Sequence, residues 1–547
     1  MARTVTLRPW QKTALERFAA CGAADFLAVA TPGAGKTTFA LTAARQALAG
    51  DAGRRLVVVV PTAHLKAQWA RAANGFDLHL DPEWSAANGA LPSDMHGIVT
   101  TYQQVATSAE VLRGLAADAF VIFDELHHAA DDRAWGGAVR TAFEGATRRL
   151  ALSGTPFRSD VQAIPFVRYD AEEAVPDYEY GYADALRDGR VVRPVYFPRI
   201  DGMMEWTAPD GTYHTHGFDD PLDAARSGQR LRTAYSLDGE WLPHVLRQAH
   251  EQLLAIRRHQ PAAGGLVIAT DQEHARGIAS ILWDRLRIRA VIATSDDPAA
   301  SHHISRFAAG SDPWIVAVKM VSEGVDIPRL RVGVYATTTT TELFFRQAVG
   351  RLVRWTPGTT GQKSYLYIPD EPRLRARAAA VAEQRRHSLR REEPRNGPAA
   401  EERAELDEGE AEQFSLFAPI SAVPLGAVDG APDWLVDEDP RIDPPDEAAL
   451  TIALPPLGSP AGSDGGRGAP PGGRTLREHK EHLRSANTAK VRSIARWTGM
   501  THAAVNLELN RIVGLNKVSE ATVEQLERRL EAARRWCDQE ESRHAAS

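Results

Sequence analysis

Residues Asp25–Thr38, DFLAVATPGAGKTT, decide the fold of this chain. The apolar run DFLAVA predicts a buried strand, and a glycine-rich loop and a helix-like stretch follow it. Gly33 and Gly35 allow backbone N–H groups to turn inward around a phosphate, while Lys36 supplies a cation and Thr37 a hydroxyl for Mg²⁺. We therefore predict a phosphate-binding loop, whose nucleotide-binding residues are Thr31, Pro32, Gly33, Ala34, Gly35, Lys36, Thr37 and Thr38.

A pair of carboxylates supports this prediction. The apolar run FVIF ends at Asp124 and Glu125, and Asp124 follows Lys36 by 88 positions (124 − 36 = 88). At the end of a parallel strand, Asp124 is the candidate partner of Mg²⁺, and Glu125 is placed to orient and deprotonate an attacking water. Ala30 stands where the usual loop pattern has its first glycine, but strand, loop and helix occur in the required order.

The rest of the chain to about residue 355 alternates short apolar runs with longer helix-like stretches. Continuous apolar runs between helices are typical of a parallel α/β sheet that is covered on both faces. The runs fall into two groups, one before about residue 157 and one after about residue 260, so we predict two tandem parallel-sheet lobes. The irregular section between them, which contains WTAPDGTYHTHGF, predicts a lobe connection with an inserted hairpin or loop.

The predicted boundaries divide the chain into five parts. They are a first lobe at 1–160, a connection with insertion at 161–260, a second lobe at 261–373, a charged helix with a disordered acidic linker rich in Pro and Gly at 374–474, and a small basic helical domain at 475–547. Such a linker cannot bury enough apolar surface to offset its ordering entropy. Within it, FSLFAPI at 414–420 reads either as a docking motif or, more simply, as a chance apolar island.

Charge and composition limit the class of protein. The 547 residues carry a net charge of −7, but much of the acidity lies in 401–447, whereas the last part of the chain is rich in Lys and Arg. A nucleic-acid partner is therefore compatible with the acidic average. We find no apolar stretch long enough to span a membrane and no secretory signal, and the two cysteines fit a reducing compartment. We therefore expect a cytoplasmic protein without a membrane partner.

With its motifs in order across residues 7–354, the chain resembles a superfamily two helicase of the DEAD/DEAH-box-like type. LRPWQ at 7–11 is similar to the family's adenine-reading segment, which implies a nucleotide-binding role for Arg8 and Gln11. PTAHLKAQW at 61–69 and TTYQQ at 100–104 resemble the two backbone-contacting motifs Ia and Ib, while SGTP at 153–156 resembles motif III. The resemblance thereby implies nucleic-acid contacts for Pro61, Thr62 and Thr101, and coupling roles for His127, Ser153 and Thr155.

The second group of runs carries the later motifs. LVIAT at 266–270 resembles motif IV, SEGVDIP at 322–328 matches motif V, and QAVGRLVR at 347–354 matches motif VI. The resemblance implies nucleic-acid contacts for Thr270 and Ser322, nucleotide contacts for Gly324 and Asp326, and catalytic roles for Gln347, Arg351 and Arg354. Two arginines three apart share one helix face, and both would close onto the γ-phosphate of ATP held by the first lobe.

The resemblance implies two RecA-like lobes that use ATP and Mg²⁺ to move along nucleic acid. The RPWQ opening, the DELH box and YADALRDGRVVRPVYF are closer to the group of XPB, RadD, UvsW and restriction-type motors than to the DEAD-box RNA helicases. We therefore expect DNA, in duplex, branched or single-stranded form. An RNA helicase and an ATP-switched DNA-binding scaffold remain alternatives, and the pathway stays open among repair, phage replication and antiphage defence.

The last part of the chain predicts a possible helix-turn-helix. VRSIARWTGMTHAAVNLELNRIVGL reads as two short helices with a turn at Gly499, although Glu508 falls where an apolar residue would help. Basic residues surround it, namely Arg484, Lys490, Arg492, Arg496, Arg511 and Lys517. Duplex DNA binding, docking of a protein partner and structural support all remain open for this module. Glu478-His479-Lys480 lacks the strand Asp of a nuclease site.

Overall fold

The structure of the chain is a computed structural model. The structure describes residues 4–51, 53–86, 94–127, 133–154, 164–170, 173–208, 210–294, 297, 299–318, 327–389, 418–427, 450–457, 476–498, 500–515, 518 and 521–545. Thr155, Ser322, Gly324 and Asp326, which the sequence predicts as site residues, lie outside these ranges.

The first lobe runs from Thr4 to Arg187. Its elements are β1 (Thr4–Leu7), α1 (Pro9–Ala20), β2 (Asp25–Ala30), α2 (Lys36–Ala49), β3 (Leu56–Val60), α3 (Ala63–Asn74), β4 (Leu80–Asp81), β5 (Gly97–Thr101), α4 (Tyr102–Leu115), β6 (Phe120–Asp124), α5 (Arg133–Phe143), β7 (Arg148–Ser153), β8 (Tyr169–Asp170), β9 (Glu173–Ala174), β10 (Tyr178–Tyr180) and α6 (Tyr182–Arg187).

Seven strands form the sheet of the first lobe, in the order β10-β2-β7-β6-β3-β5-β4. Every neighbouring pair is parallel, and the LVVVV run of β3 is buried along its whole length. Parallel strands of this kind need helices on both faces, which the intervening helix-like stretches supply. The carboxyl ends of β2, β6 and β7 therefore meet at one edge, where the phosphate loop, the carboxylates and motif III follow them.

The second lobe takes up most of the section that the sequence predicts as a connection. Its elements are β11 (Val195–Tyr196), β12 (Arg199–Thr207), β13 (Tyr213–Gly217), α7 (Ala224–Ala234), α8 (Trp241–Arg257), β14 (Gly264–Ala269), α9 (Gln272–Leu286), β15 (Val291–Ala293), α10 (Ala300–Ala309), β16 (Trp314–Ala317), β17 (Leu330–Ala336), α11 (Glu342–Leu352), β18 (Ser364–Pro369) and α12 (Pro372–Leu389).

The second sheet has a parallel centre and an antiparallel edge. Its main path runs β13-β12-β18-β17-β14-β16-β15, with β11 on β18. β12 and β13 form an antiparallel hairpin, which is the kind of insertion that the sequence suggests. The section 161–260 is nevertheless divided between the lobes rather than separate from them, because β10 completes the first sheet and β11 to β13 complete the second.

Two segments within the predicted linker form strands, while most of the rest of the linker lies outside the described residues. β19 (Ala418–Ala427) pairs antiparallel with β12 of the second lobe, and β20 (Leu450–Ala453) pairs antiparallel with β1 of the first. β19 therefore includes the end of the apolar island at 414–420, whose first four residues lie outside the described ranges. Leu454, which follows β20, is buried. Edge pairing offers these short segments backbone partners that their composition does not reveal.

The final part of the chain is helical, as predicted, but the first helix is longer than expected. α13 (Leu476–Thr498), α14 (His502–Val513) and α15 (Val523–Ala545) pack together around Val505, which is fully buried. The predicted turn residue Gly499 and Lys517 lie outside the described residues. Glu508, the residue that weakened the helix-turn-helix match, is paired with Arg511 at 2.7 Å at the surface.

The helical domain contacts the first lobe through a buried ion pair. Lys480 Nζ on α13 lies 2.5 Å from Asp94 Oδ1, and its side chain has no exposed area. The other carboxylate oxygen of Asp94 accepts a hydrogen bond of 3.0 Å from the Val523 N–H at the start of α15. Asp94 therefore receives donors from two helices of the domain. Among the described helices of the whole chain, none is long and apolar enough to span a bilayer.

Candidate nucleotide site

The phosphate loop joins β2 to α2 and has the backbone that phosphate binding requires. Gly33 and Gly35 have φ values of +84° and +93°, in the left-handed region where a side chain would be strained. α2 begins at Lys36, so the first N–H groups of the helix open toward the loop. A turn of this shape followed by a helix N-terminus is an anion-binding arrangement.

Lys36 and Glu125 form the centre of the site. Lys36 Nζ lies 3.1 Å from Glu125 Oε1 and donates to the Ala30 carbonyl at 3.2 Å. The second oxygen, Glu125 Oε2, accepts a 2.8 Å hydrogen bond from the Gly154 N–H. Glu125 itself has a positive φ of 47°, an unusual conformation for a residue with a side chain. The loop lysine and the predicted base thus meet although they follow β2 and β6, two strands that are separated in the sheet by β7.

Charge around Glu125 keeps its carboxyl ionised. Burial raises the pKa of Glu125, but Lys36, His127 and the Gly154 N–H outweigh this effect and lower the pKa to about 2. Its side chain still exposes 28% of its surface, so solvent or substrate can reach it. While Lys36 is its partner, Glu125 is a weak base.

Gly154 of motif III lies close to both charged groups of the site. A Cβ added there would lie 3.1 Å from Lys36 Nζ and 3.2 Å from Glu125 Oε1. Such a carbon would fill the space in which these two groups meet. The preceding Ser153 is fully buried, and its hydroxyl lies 3.4 Å from His127 Nδ1. Motif III is therefore in contact with both the predicted base and the predicted coupling histidine.

Asp124, the predicted metal partner, is held by two residues that the sequence analysis did not single out. Trp69 donates its indole N–H to Asp124 Oδ2 at 2.8 Å, and the Tyr102 hydroxyl donates to the Asp124 carbonyl at 3.0 Å. Asp124 is 9% exposed. A carboxylate at this strand end and the half-buried Thr37 hydroxyl at the start of α2 are hard oxygen donors, which Mg²⁺ prefers, so the residues present fit that ion.

The predicted adenine-reading segment holds the phosphate loop. Arg8 donates to the carbonyls of Gly33 and Ala34 at 2.9 and 2.8 Å. Gln11 donates to the Gly35 carbonyl at 2.9 Å, and its amide oxygen accepts from the Arg8 N–H at 2.8 Å. Both polar atoms of the Gln11 side chain therefore have protein partners, and base reading by Gln11 stays a prediction. Burial lowers the pKa of Arg8, although Tyr180 and Asp188 oppose that effect.

The second lobe reaches the site through motif VI. Gln347 Nε2 lies 3.4 Å from His127 Nε2, so the predicted coupling histidine contacts one residue on each lobe. A Cβ added at Gly350 would lie 2.5 Å from Pro32 Cγ, which shows how closely α11 approaches the phosphate loop. A pocket between the lobes is lined by Thr31, Pro32, Gly154, Arg346, Gly350 and Val353, among others.

Arg354 lies beside the phosphate loop but not on the helix. α11 ends at Leu352, so the prediction that Arg351 and Arg354 share one helix face is wrong. Arg354 instead forms an isolated antiparallel bridge with Val192 of the lobe connection. A Cβ added at Gly33 would lie 3.5 Å from Arg354 Cγ, so both its backbone and its side chain border the loop. The helix ends early because the chain leaves it to pair with the connection.

Arg193 supports this bend, and sequence reasoning missed it. Its guanidinium is fully buried and donates to the carbonyls of Pro328 and Leu330 at 2.7 and 3.2 Å and to the Arg354 carbonyl. Burial and, to a smaller extent, the charge of Arg331 lower the pKa of Arg193 to about 8. This arginine joins the lobe connection to the last residues of motif V and motif VI. No spacing pattern in the sequence marks it.

The predicted nucleic-acid residues that the structure describes lie at strand ends. Thr62 is the N-cap residue of α3, directly after Pro61, but its side chain makes no capping bond. Thr101 caps α4 by accepting from the Gln104 N–H at 3.1 Å. The Thr270 hydroxyl donates to the Ala336 carbonyl at 3.3 Å in the second lobe. Contacts of these residues with nucleic acid stay predictions.

Sequence comparison identifies a family that matches part of the chain and relatives that match most of it. The family described as "Type III restriction enzyme, res subunit" matches residues 4–158. The uncharacterized protein ML1624 of Mycobacterium leprae is 39% identical over 567 aligned residues, which cover 96% of this chain and 93% of the relative. The uncharacterized protein Rv2917 of Mycobacterium tuberculosis is 45% identical over 392 residues, which cover 70% of this chain and 65% of the relative, less than two thirds of its length.

Solved structures with a similar arrangement have low sequence identity. The ATP-dependent Type ISP restriction-modification enzyme LlaBIII bound to DNA aligns at a TM-score of 0.46 with 16% identity, over 70% of this chain and 30% of that chain. Dbp5 of S. cerevisiae bound to RNA and ADP BeF3 aligns at 0.43 with 13% identity, over 69% of this chain and 87% of that chain.

Proposed function

Because this chain belongs to the same family as ML1624 and has a superfamily two helicase-like fold, we propose that it is a nucleic-acid-dependent ATPase that unwinds DNA or translocates along it. The observation that supports the proposal most strongly is that residues of both lobes meet at the phosphate loop. The phosphate loop and Glu125 lie on the first lobe, while motif VI of the second lobe contacts the same loop at Pro32 and Gly33. A nucleotide held here would touch both lobes.

The proposed cycle begins with Lys36. Phosphate oxygens would compete with Glu125 for this lysine, and loss of Lys36 as a partner would raise the pKa of Glu125 from its low resting value. Glu125 then becomes a better base for water at the moment when a phosphate is present. The resting ion pair would thus keep the base weak until substrate arrives.

Motif VI supplies the second half of the cycle. Arg354 borders Gly33, and a guanidinium there would neutralise charge that develops on the transferred phosphoryl group. Thr37 and Asp124 would hold Mg²⁺, which would supply positive charge to the phosphate oxygens. After hydrolysis, Arg354 and Gln347 lose the group that joins the lobes, and the lobes shift relative to one another along the strand.

DNA is the proposed track for two reasons. The RPWQ opening, the DELH box and the segment that contains Arg193 resemble the group of motors acting on duplex or branched DNA. The family that matches residues 4–158 is also described as a restriction-enzyme subunit. Contacts through strand ends of this fold go to the backbone and carry little base specificity.

The test measures ATP hydrolysis by the full chain with duplex DNA, single-stranded DNA, forked DNA or RNA. We expect stimulation by at least one DNA form and less by RNA. Glu125→Gln serves as the hydrolysis-deficient control, with a loss of roughly 10²-fold or more because the base is removed. Preference for RNA would favour the RNA helicase. Absence of stimulation by every nucleic acid would remove the motor and favour an ATP-switched scaffold.

A further inference from the structure

Trp69 and Tyr102 both form hydrogen bonds with Asp124, the predicted metal ligand. They lie on α3 and α4, the two helices that begin beside the predicted nucleic-acid residues. Trp69 lies on α3, which starts directly after Pro61 and Thr62, and Tyr102 is the first residue of α4, directly after Thr101. The indole N–H of Trp69 binds the Asp124 carboxylate at 2.8 Å, and the Tyr102 hydroxyl binds the Asp124 carbonyl at 3.0 Å. Asp124 thus has one partner on each element.

The two elements are also joined to each other. Lys66 on α3 donates to Gln104 Oε1 at 3.1 Å, and the same amide oxygen accepts from the Thr101 N–H at 3.2 Å. Lys66 is only 8% exposed, so this bond lies inside the lobe rather than at its surface. A displacement of α3 would therefore act on the start of α4 through Lys66 and Gln104. Both would act on Asp124 together.

We propose that Trp69 is a positioning residue that couples nucleic-acid binding to the metal-binding carboxylate Asp124, with Tyr102 as its backbone-side partner. This inference rests on the proposed function. Backbone contacts at Thr62 and Thr101 fix the starts of α3 and α4, and the indole N–H and the hydroxyl then fix the direction in which the Asp124 carboxylate points. A carboxylate held by a charge-assisted hydrogen bond is oriented more strictly than a free one.

A packing role alone accounts for only part of this geometry. Trp69 is 2% exposed and belongs to the core of the first lobe, which an aromatic ring of another kind could also fill. Packing does not require the indole N–H to meet a carboxylate at the end of β6. Trp69→Phe keeps most of the ring volume and removes the donor, so it separates the two roles.

Trp206 provides a matched control. It is fully buried, its indole N–H donates to Gln229 Oε1 at 2.9 Å, and it lies in the second lobe on β12. Trp206→Phe therefore removes a buried indole hydrogen bond, in this case to a neutral amide oxygen, without touching Asp124. Tyr102→Phe removes the hydroxyl on the other side of Asp124 and tests the second contact.

The experiment measures the affinity of the full chain for labelled duplex DNA with and without a non-hydrolysable ATP analogue and Mg²⁺. The ratio of the two dissociation constants reports the coupling between the sites independently of hydrolysis. We expect Trp69→Phe to shift this ratio about tenfold toward unity, the size of one hydrogen bond to a charged group. Affinity without nucleotide should stay within about twofold of wild type, and Tyr102→Phe should have a smaller effect in the same direction.

The same titration carried out against Mg²⁺ gives a second readout. Trp69→Phe should raise the Mg²⁺ concentration needed for half of the nucleotide effect, whereas Trp206→Phe should leave it unchanged. The inference is overturned if Trp69→Phe keeps the wild-type ratio and Mg²⁺ dependence, or if Trp206→Phe changes both equally. A wild-type chain with no coupling to any nucleic acid overturns the proposed function, and the inference with it.

Discussion

At the scale of single residues, the Lys36 and Glu125 ion pair predicts how stability responds to acid. The pKa of Glu125 is lowered from 4.5 to about 2 in the folded chain, so its contribution to stability is present above the unfolded pKa and is lost as the pH falls through this window. Lys36→Met removes the cation and leaves burial to raise the pKa of Glu125. We expect the loss in Tm to be larger at pH 7 than at pH 3, measured by thermal unfolding without nucleotide. An equal loss at both pH values would contradict the assignment.

Arg354 gives a second prediction at this scale. Arg354→Ala should lower kcat by roughly 10³-fold or more and leave nucleotide affinity nearly unchanged, because this guanidinium would act mainly on charge that develops during transfer. Steady-state hydrolysis and a fluorescent-nucleotide titration measure the two quantities. Arg285→Ala, which removes an exposed arginine paired with Glu240 at 3.0 Å in the same lobe, is the control. Wild-type turnover in Arg354→Ala would sink the catalytic role.

Sequence predicts a site residue best when that residue belongs to a recognisable local pattern. Lys36 and Glu125 follow apolar strand runs, so their meeting at one sheet edge follows from the parallel order. Trp69 acts through one long-range hydrogen bond to Asp124, and Arg193 acts through several, to the carbonyls of Pro328, Leu330 and Arg354. No local pattern marks such partners. The dipeptide QW at the end of motif Ia marks the position of Trp69 in the sequence. The role of its indole N–H as a donor to Asp124 becomes visible only when the position of β6 is known.

At the scale of elements, the tight contact between β3 and β5 predicts a severe effect at Gly97. A Cβ added at Gly97 would lie 1.7 Å from the Leu56 carbonyl oxygen, so Gly97→Ala must displace a strand. We expect a loss of roughly 3 kcal/mol in the free energy of unfolding, measured by urea denaturation. Gly114 on α4 is the matched control, because a Cβ there meets no atom within 4 Å. Gly114→Ala should be neutral or stabilise by about 0.5–1 kcal/mol, and a similar loss in both variants would contradict the packing argument.

The elements also show where composition misleads. Pro and Gly content and acidity predicted a linker from 374 to 474, yet β19 and β20 form within it. Each is a short strand that completes an edge of a sheet built by other parts of the chain, so its stability comes from β12 and β1 rather than from its own sequence. Motif VI is the opposite case, because here the sequence predicts more regular structure than forms. The spacing of Arg351 and Arg354 predicts a helix through both residues, but α11 ends before Arg354.

At the scale of the whole molecule, the contact between Asp94 and Lys480 predicts how the helical domain is held. Asp94→Ala leaves the buried ammonium of Lys480 without its partner, which should cost about 3–5 kcal/mol of docking free energy. Hydrogen exchange should then rise in α13 and α15 but not in the first sheet. Lys480→Met combined with Asp94→Ala should restore much of the protection because no buried charge remains. Glu508→Ala breaks an exposed pair with Arg511 in the same domain and should have no measurable effect. Unchanged exchange in Asp94→Ala would show that other contacts hold the domain.

The pairing of β19 with β12 has a practical consequence for any shortened form of this protein. A chain cut after residue 373, the predicted end of the second lobe, would retain every helicase motif but lose the strand that covers Ile200–Thr207. The bare edge would present unpaired N–H and C=O groups to other molecules, and β1 would lose its partner β20 in the same cut. Such a fragment should self-associate and purify poorly, whereas one that ends after residue 457 keeps both edges covered.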